Sequence, residues 1–273
     1  MKKNIITGLA LLSTLFILSC QQNKKVELPS APSTITIKDS VIAEPVANTA
    51  AQIFAKPQIP ILCYHRITEG NKSEYSVSPA TFDAHIQILQ DSGYHSISPS
   101  QLYDYLVFNK ELPEKPFMIT FDDSRIEHFE IAAPVLEKHG FRGAFFIMTI
   151  TYNKKNYMST EQIAALAKAG HTVGLHSWDH TMVTKYAEAA DWEKQVAAPK
   201  AKLEGFTGKA VEFFAYPNGV VNHESAEKMS EYMKLSFILS TKRDTLQPLQ
   251  TVRRMIVPEW TAEGLLKSMR RTF

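Results

Sequence analysis

The chain of 273 residues is 44% hydrophobic and carries a formal net charge of only +2 at neutral pH. It is long and apolar enough for one large α/β domain with a tail. Without Lys2 and Lys3, which fall in a stretch that reads as a removable leader, the 30 basic residues no longer exceed the 28 acidic ones. No basic field then remains to attract nucleic acid or anionic lipid, and a neutral substrate is the natural partner.

The chain opens with Met1-Lys-Lys3 and an almost wholly apolar run from Ile5 to Leu18. The run is shorter than the ~20 residues that a membrane-spanning helix needs, so residues 1–19 read as a signal peptide. Its end, Ile17-Leu-Ser-Cys20, resembles a bacterial lipoprotein cleavage site. That resemblance implies a lipidated Cys20 as the new first residue and a protein anchored to a membrane of the cell envelope, with Gln21 favouring the outer membrane or cell surface. Residues 20–57 are rich in Pro, Ser, Thr, Ala, Lys and Gln, and are expected to form a flexible tether. The folded domain is expected over 58–273. With Cys20 committed to lipid, Cys63 has no disulfide partner and reads as a small buried apolar residue.

From Ile59 onward strand-like and helix-like stretches alternate. Strands are predicted over 59–65, 94–97, 117–121, 143–148, 172–175, 211–215, 235–239 and 252–257. Helices with good starts lie between them: Ser78-Pro79 precedes 81–90, Ser98-Pro99 precedes 101–108, and Ser159 caps 161–169. Further helices are predicted over 135–138, 187–203, 224–233 and 262–269. Seven or eight such units in about 200 residues predict an α/β fold of the (β/α)-barrel kind.

Chemistry concentrates at the ends of two of these strands. The apolar run Phe117 to Phe121 stops abruptly at Asp122, Asp123 and Ser124, a pattern that fits a buried strand delivering acids at its carboxyl end and also fits a polar turn. After the strand at 172–175, His176 and His180 stand four residues apart, and would face one point if this segment were a helical turn. Asp123 can supply a third ligand, which leaves a coordination position open for water.

Thr120-Phe-Asp-Asp123, His176-Ser-Trp-Asp-His180 and Ala215-Tyr-Pro-Asn-Gly219 resemble, in order, the motifs of the NodB-like polysaccharide deacetylases, carbohydrate esterase family four. The resemblance spans Ile59 to about Trp260. It implies a distorted (β/α) barrel, Asp122 as catalytic base, and Asp123, His176 and His180 as ligands of one divalent metal, with zinc the default and nickel or cobalt also suited. The implied reaction is removal of N-acetyl groups from an acetylated amino-sugar polymer such as poly-N-acetylglucosamine, peptidoglycan or a chitin-like glycan. Tyr216 and Pro217, in the third motif, are expected to contact substrate or the oxyanion.

Three departures from the family pattern stand out. Ser124 replaces the usual Gly and is strained if that position needs positive φ. Tyr216 stands where many members carry an Arg that pairs with the base, a part that Arg253 or Arg254 could take. The late His-bearing motif that supplies the general acid is missing. Tyr64-His-Arg-Ile67, however, resembles the poly-N-acetylglucosamine branch, in which an early His donates the proton; this makes His65 the candidate acid. The alternatives are an O-acetyl esterase acting on acetylated glycans such as xylan, and a catalytically dead glycan-binding lipoprotein. His85, His95, His128, His139, His171 and His223 match no motif and read as surface or hydrogen-bonded structural groups. Tyr152, Tyr157, Trp178 and Trp260 are equally suited to stacking on sugars or to packing.

Overall fold

Six apolar runs form the parallel strands β1 (Ile61–Tyr64), β2 (Pro116–Phe121), β3 (Ala144–Ile147), β4 (Thr172–Leu175), β5 (Phe213–Ala215) and β6 (Leu235–Ile238) in a computed structural model that describes residues 46–70 and 73–273. The predicted signal segment, Cys20 and most of the predicted tether lie outside the described residues. Each strand pairs with the next in the chain, with registers such as Leu62↔Ile119, Thr120↔Ala144, Phe145↔Val173, Leu175↔Phe214 and Phe214↔Ser236.

The sheet returns to its start through one short segment. Val252–Arg253 pairs with β6, and Met255–Ile256 pairs with β1, both in parallel. A single residue, Arg254, separates the two pairings. This makes the sheet a nearly closed barrel, as the alternating sequence pattern predicts. The stretch predicted at 94–97 contributes only the two-residue strand His95–Ser96, paired beside the start of β2.

Alternation along the strands sorts their side chains into two packed sets. Leu62, Tyr64, Phe117, Ile119, Phe121, Phe145, Val173 and Phe214 pack with Phe82, Ile86 and Leu89 of the helix Pro79–Asp91 and with Ile163 and Leu166 of the helix Thr160–Lys168, forming the layer between sheet and helices. Ile61, Met118, Ala144, Phe146, Phe213, Leu235, Phe237 and Val252 form the second set, the barrel interior. Leu102 and Leu106 of the helix Pro99–Phe108, with Ile53, join that interior set. Lys56, Pro57 and Ile59 gather with them around Ile61 and Val252 at the amino ends of the strands.

The tether prediction needs correction at its end. Residues Ala50–Ala55 form a helix capped by Thr49, Ile53 is buried, and Asn48 donates to the carbonyls of Val107 and Leu106. The folded body therefore begins about ten residues earlier than predicted, because a short helix needs only one well-placed apolar residue to dock and leaves little periodic signal.

Candidate active site

Continuing the interior alternation of Met118 and Thr120 by one step brings Asp122 to the carboxyl end of the barrel, fully buried. Arg254 meets it from the closing segment. Its Nη1 donates to Asp122 Oδ1 at 2.7 Å and its Nη2 to Oδ2 at 2.7 Å, while Nη1 also reaches Thr120 Oγ1 at 3.1 Å. Thr120 in turn donates to the Leu62 carbonyl at 2.9 Å. Burial alone would raise the Asp122 carboxyl, but the Arg254 charge, helped by His176, outweighs it and holds the group far below the ordinary carboxylate range. Asp122 is thus an ionised carboxylate in a buried site. Of the two arginines the sequence offers for this place, Arg254 occupies it; Arg253 lies over the Phe273 ring and reaches Gln58.

The next two residues turn the chain sharply: Asp123 has φ +74° and Ser124 has φ +58°. The left-handed conformation expected to strain Ser124 is present. The hydroxyl offsets it by accepting from the Met148 amide at 2.7 Å, a bond glycine could not make. The turn aims Asp123 at His176 and His180, whose Nε2 atoms lie 3.6 and 3.7 Å from Asp123 Oδ1. The two histidines do not sit on a helical turn as supposed. They follow β4 in a loop in which Ser177 (φ +63°) and His180 (φ +70°) are left-handed, and the Ser177 hydroxyl accepts from the His180 amide. The convergence comes from that backbone reversal rather than from i, i+4 spacing.

This triplet fits a divalent cation. Ligands about 2.1 Å from a tetrahedral ion stand about 3.4 Å apart, close to the separations here. His176 Nδ1 donates to the Ala215 carbonyl at 2.7 Å, which fixes the tautomer and leaves Nε2 free to ligate. Burial would raise the Asp123 carboxyl, but His176 beside it brings it down to about 2, so it too is an anionic donor. The three donor atoms lie within 4.8 Å of one another.

His65 follows β1, and its Nε2 stands 3.9 Å from Asp122 Oδ2. Burial lowers its pKa, with Asp122 and Asp123 pulling the other way. His128 holds the His65 backbone, its Nε2 lying 2.6 Å from the His65 carbonyl. The exposed ring of Tyr75 meets the His65 ring edge-on at 5.1 Å. His65, Asp122, Asp123, His176 and His180 all line one open cleft of about 470 Å³, with Arg66, Tyr75, Arg125 and Asn218 among its other walls.

Tyr216 and Pro217 do not reach this cleft. The Tyr216 ring is fully buried against Phe214, and its amide is spent on the Phe237 carbonyl; Pro217 is buried and has no amide hydrogen. The residue of that motif that lines the cleft is Asn218, in the left-handed conformation (φ +56°) that asparagine tolerates. The remaining histidines are bonded as expected. His85 meets Tyr64 Oη and the Trp260 carbonyl, His139 meets Gln90, and His171 meets Glu137; His95 and His223 are exposed. Tyr152 packs on Phe206 and Trp178 under Lys194.

A parallel barrel whose strand ends gather a buried ionised acid, an imidazole beside it and a two-histidine, one-carboxylate donor set is equipped as a hydrolase. Residues 109–234 match the sequence profile of the family described as polysaccharide deacetylase. YxkH of Bacillus subtilis, whose name assigns it to the same family, is 28% identical over 242 residues, covering 85% of this chain and 86% of that protein. The poly-beta-1,6-N-acetyl-D-glucosamine N-deacetylase of Staphylococcus aureus is 24% identical over 237 residues, covering 76% and 81%. In fold, the chain is similar to the Streptococcus pyogenes deacetylase PplD, with a TM-score of 0.71 at 24% identity, over 78% of this chain and 98% of that one. Residues 109–234 thus mark a polysaccharide deacetylase domain, of the kind carried by hydrolases that act on N-acetyl amide bonds.

Proposed function

We propose that this protein is a metal-dependent deacetylase that removes N-acetyl groups from an amino-sugar polymer at the surface of a bacterial cell. The observation that carries this reading is the adjacency of Asp122, held ionised by Arg254 and off the donor set, to Asp123, which faces His176 and His180. Asp123, His176 and His180 would hold the cation, zinc before nickel or cobalt. When bound, it would polarise the acetamide carbonyl and lower the pKa of water.

The protein's own groups would move the protons. Asp122 takes a proton from the attacking water as its oxygen bonds to the carbonyl carbon. The carbon–nitrogen bond then breaks, and the nitrogen receives a proton from His65, because an amine is too basic to leave unprotonated. The products are acetate and a free amino sugar. His65 stands on the cleft beside the base, which suits the donor role.

Acetate release should be measured with metal-loaded protein on N-acetylated amino-sugar oligomers and on acetylated xylan. Release from the first set, reduced about 10²-fold or more in His65→Ala with metal retained, is the expected result. Release from xylan alone would replace this reading with an O-acetyl esterase. Bound oligomer without release from either would leave a glycan-binding protein.

The resemblance at Ile17-Leu-Ser-Cys20 supports anchoring through lipid on Cys20. Two or more acyl chains there would hold the protein stably on the membrane. Cys20→Ser should move the protein to the soluble fraction or block its processing, and wild-type protein found wholly in the soluble fraction would rule the anchor out.

A further inference from the structure

Among the described residues, the charges that line the cleft pair off, with one exception. Asp122 is taken by Arg254, Glu127 by Arg66 at 2.7 Å, and Asp123 by two imidazoles. Arg125 lines the same cavity, yet among the described residues no carboxylate lies within ion-pairing distance of it. Its Nε is buried and has no hydrogen-bond partner. Its position is nevertheless well held. The guanidinium lies over the Tyr157 ring, 4.6 Å from the centroid, its backbone pairs with that of Tyr157, and the next amide, Ile126, donates to the Asn156 carbonyl.

A surface arginine without an acid is unremarkable, because water solvates it. One that is half-buried, stacked and placed in the wall of a substrate cleft is different. Its fork of donors is pre-organised, and the planar group that matches it in two parallel hydrogen bonds is a carboxylate. The charge balance of the site points the same way. A divalent cation on Asp123 would exceed the one negative charge there, so the loaded cleft would be positive although the whole chain carries a net charge of only +2.

We propose that Arg125 is the subsite for a carboxylate carried by the glycan, so that amino-sugar polymers bearing acidic groups are preferred over neutral ones. This rests on the deacetylase reading of the same cleft and narrows its substrate class.

The test compares two probes: a β-1,4-linked tetramer of N-acetylglucosamine, and the same backbone with ether-linked lactic acid on alternate sugars. Binding to metal-loaded protein is measured by calorimetry, and acetate release is followed in parallel. Wild-type protein should bind the acidic tetramer about tenfold or more tightly than the neutral one. In Arg125→Gln that ratio should fall to about one, and Arg125→Lys, which keeps the charge without the fork, should fall between. Thermal melts of both variants identify any loss of folding, and a ratio unchanged in folded Arg125→Gln, or a wild-type preference for the neutral tetramer, would overturn the assignment. Acetate release reports separately on the deacetylase reading: its absence with the binding preference intact would sink that reading and leave Arg125 as a carboxylate subsite.

Discussion

Ser124 shows how one residue can break a local rule and be compensated. At φ +58° an L side chain costs about 1–2 kcal/mol, which glycine would avoid. The serine hydroxyl instead satisfies the Met148 amide, and the Ser124 carbonyl accepts from the Met158 amide, so the turn after Asp123 is tied to two neighbouring segments. Ser124→Ala loses the bond and keeps the strain, and should cost about 1–3 kcal/mol in urea unfolding. Ser124→Gly loses the bond but also the strain, and should be the more stable of the two variants. The reverse order would mean that the hydroxyl bond is not what holds this conformation. Sequence alone identifies the position as anomalous; it does not reveal Met148, a partner 24 residues away, as the reason.

At the scale of elements, the closing segment does two things at once. Residues 252–256 pair with β6 and then with β1, and the amide of Arg254 donates to the Ile238 carbonyl at the point where the partner changes. Alternation from Val252, which lies in the barrel interior, turns Arg254 inward to Asp122. Arg254→Met would leave a buried carboxylate without its counter-charge, a loss of about 3–5 kcal/mol, and should lower turnover about 10²-fold or more. A variant with wild-type melting and wild-type acetate release would show that the pair matters to neither.

Most elements were legible because their signals are local. Parallel strands covered on both faces are short apolar runs, and Ser78, Ser98 and Ser159 accept the expected capping bonds from Thr81, Gln101 and Gln162. The break at Arg254 was not legible, since 252–257 reads as one strand. In one strand Arg253 and Arg254 face opposite sides, and it is the placement of Val252 in the barrel interior, which the sequence alone does not give, that turns Arg254 inward.

The whole molecule explains why residues so far apart in sequence form one site. Each motif begins where a strand of the same barrel ends: His65 after β1, Asp122 after β2 and His176 after β4. Parallel closure brings those ends to one rim. The candidate site residues were readable from the motifs and the family resemblance those motifs carry. Their convergence was not, because the aim of Asp123 and His180 depends on left-handed backbone that composition does not encode. Tyr216 and Asn218 make the same point: the third motif was found, but which of its residues faces the cleft was set by the packing of Tyr216 under Phe214.

Metal analysis of the purified protein, made alongside acetate release, tests the central claim most directly, because it separates the donor set from the base beside it. Wild-type protein should hold about one divalent ion per chain, Asp123→Ala and His176→Ala should lose most of it, and Asp122→Asn should keep the ion and lose the activity. Metal content unchanged in both Asp123→Ala and His176→Ala would contradict the assignment of the site.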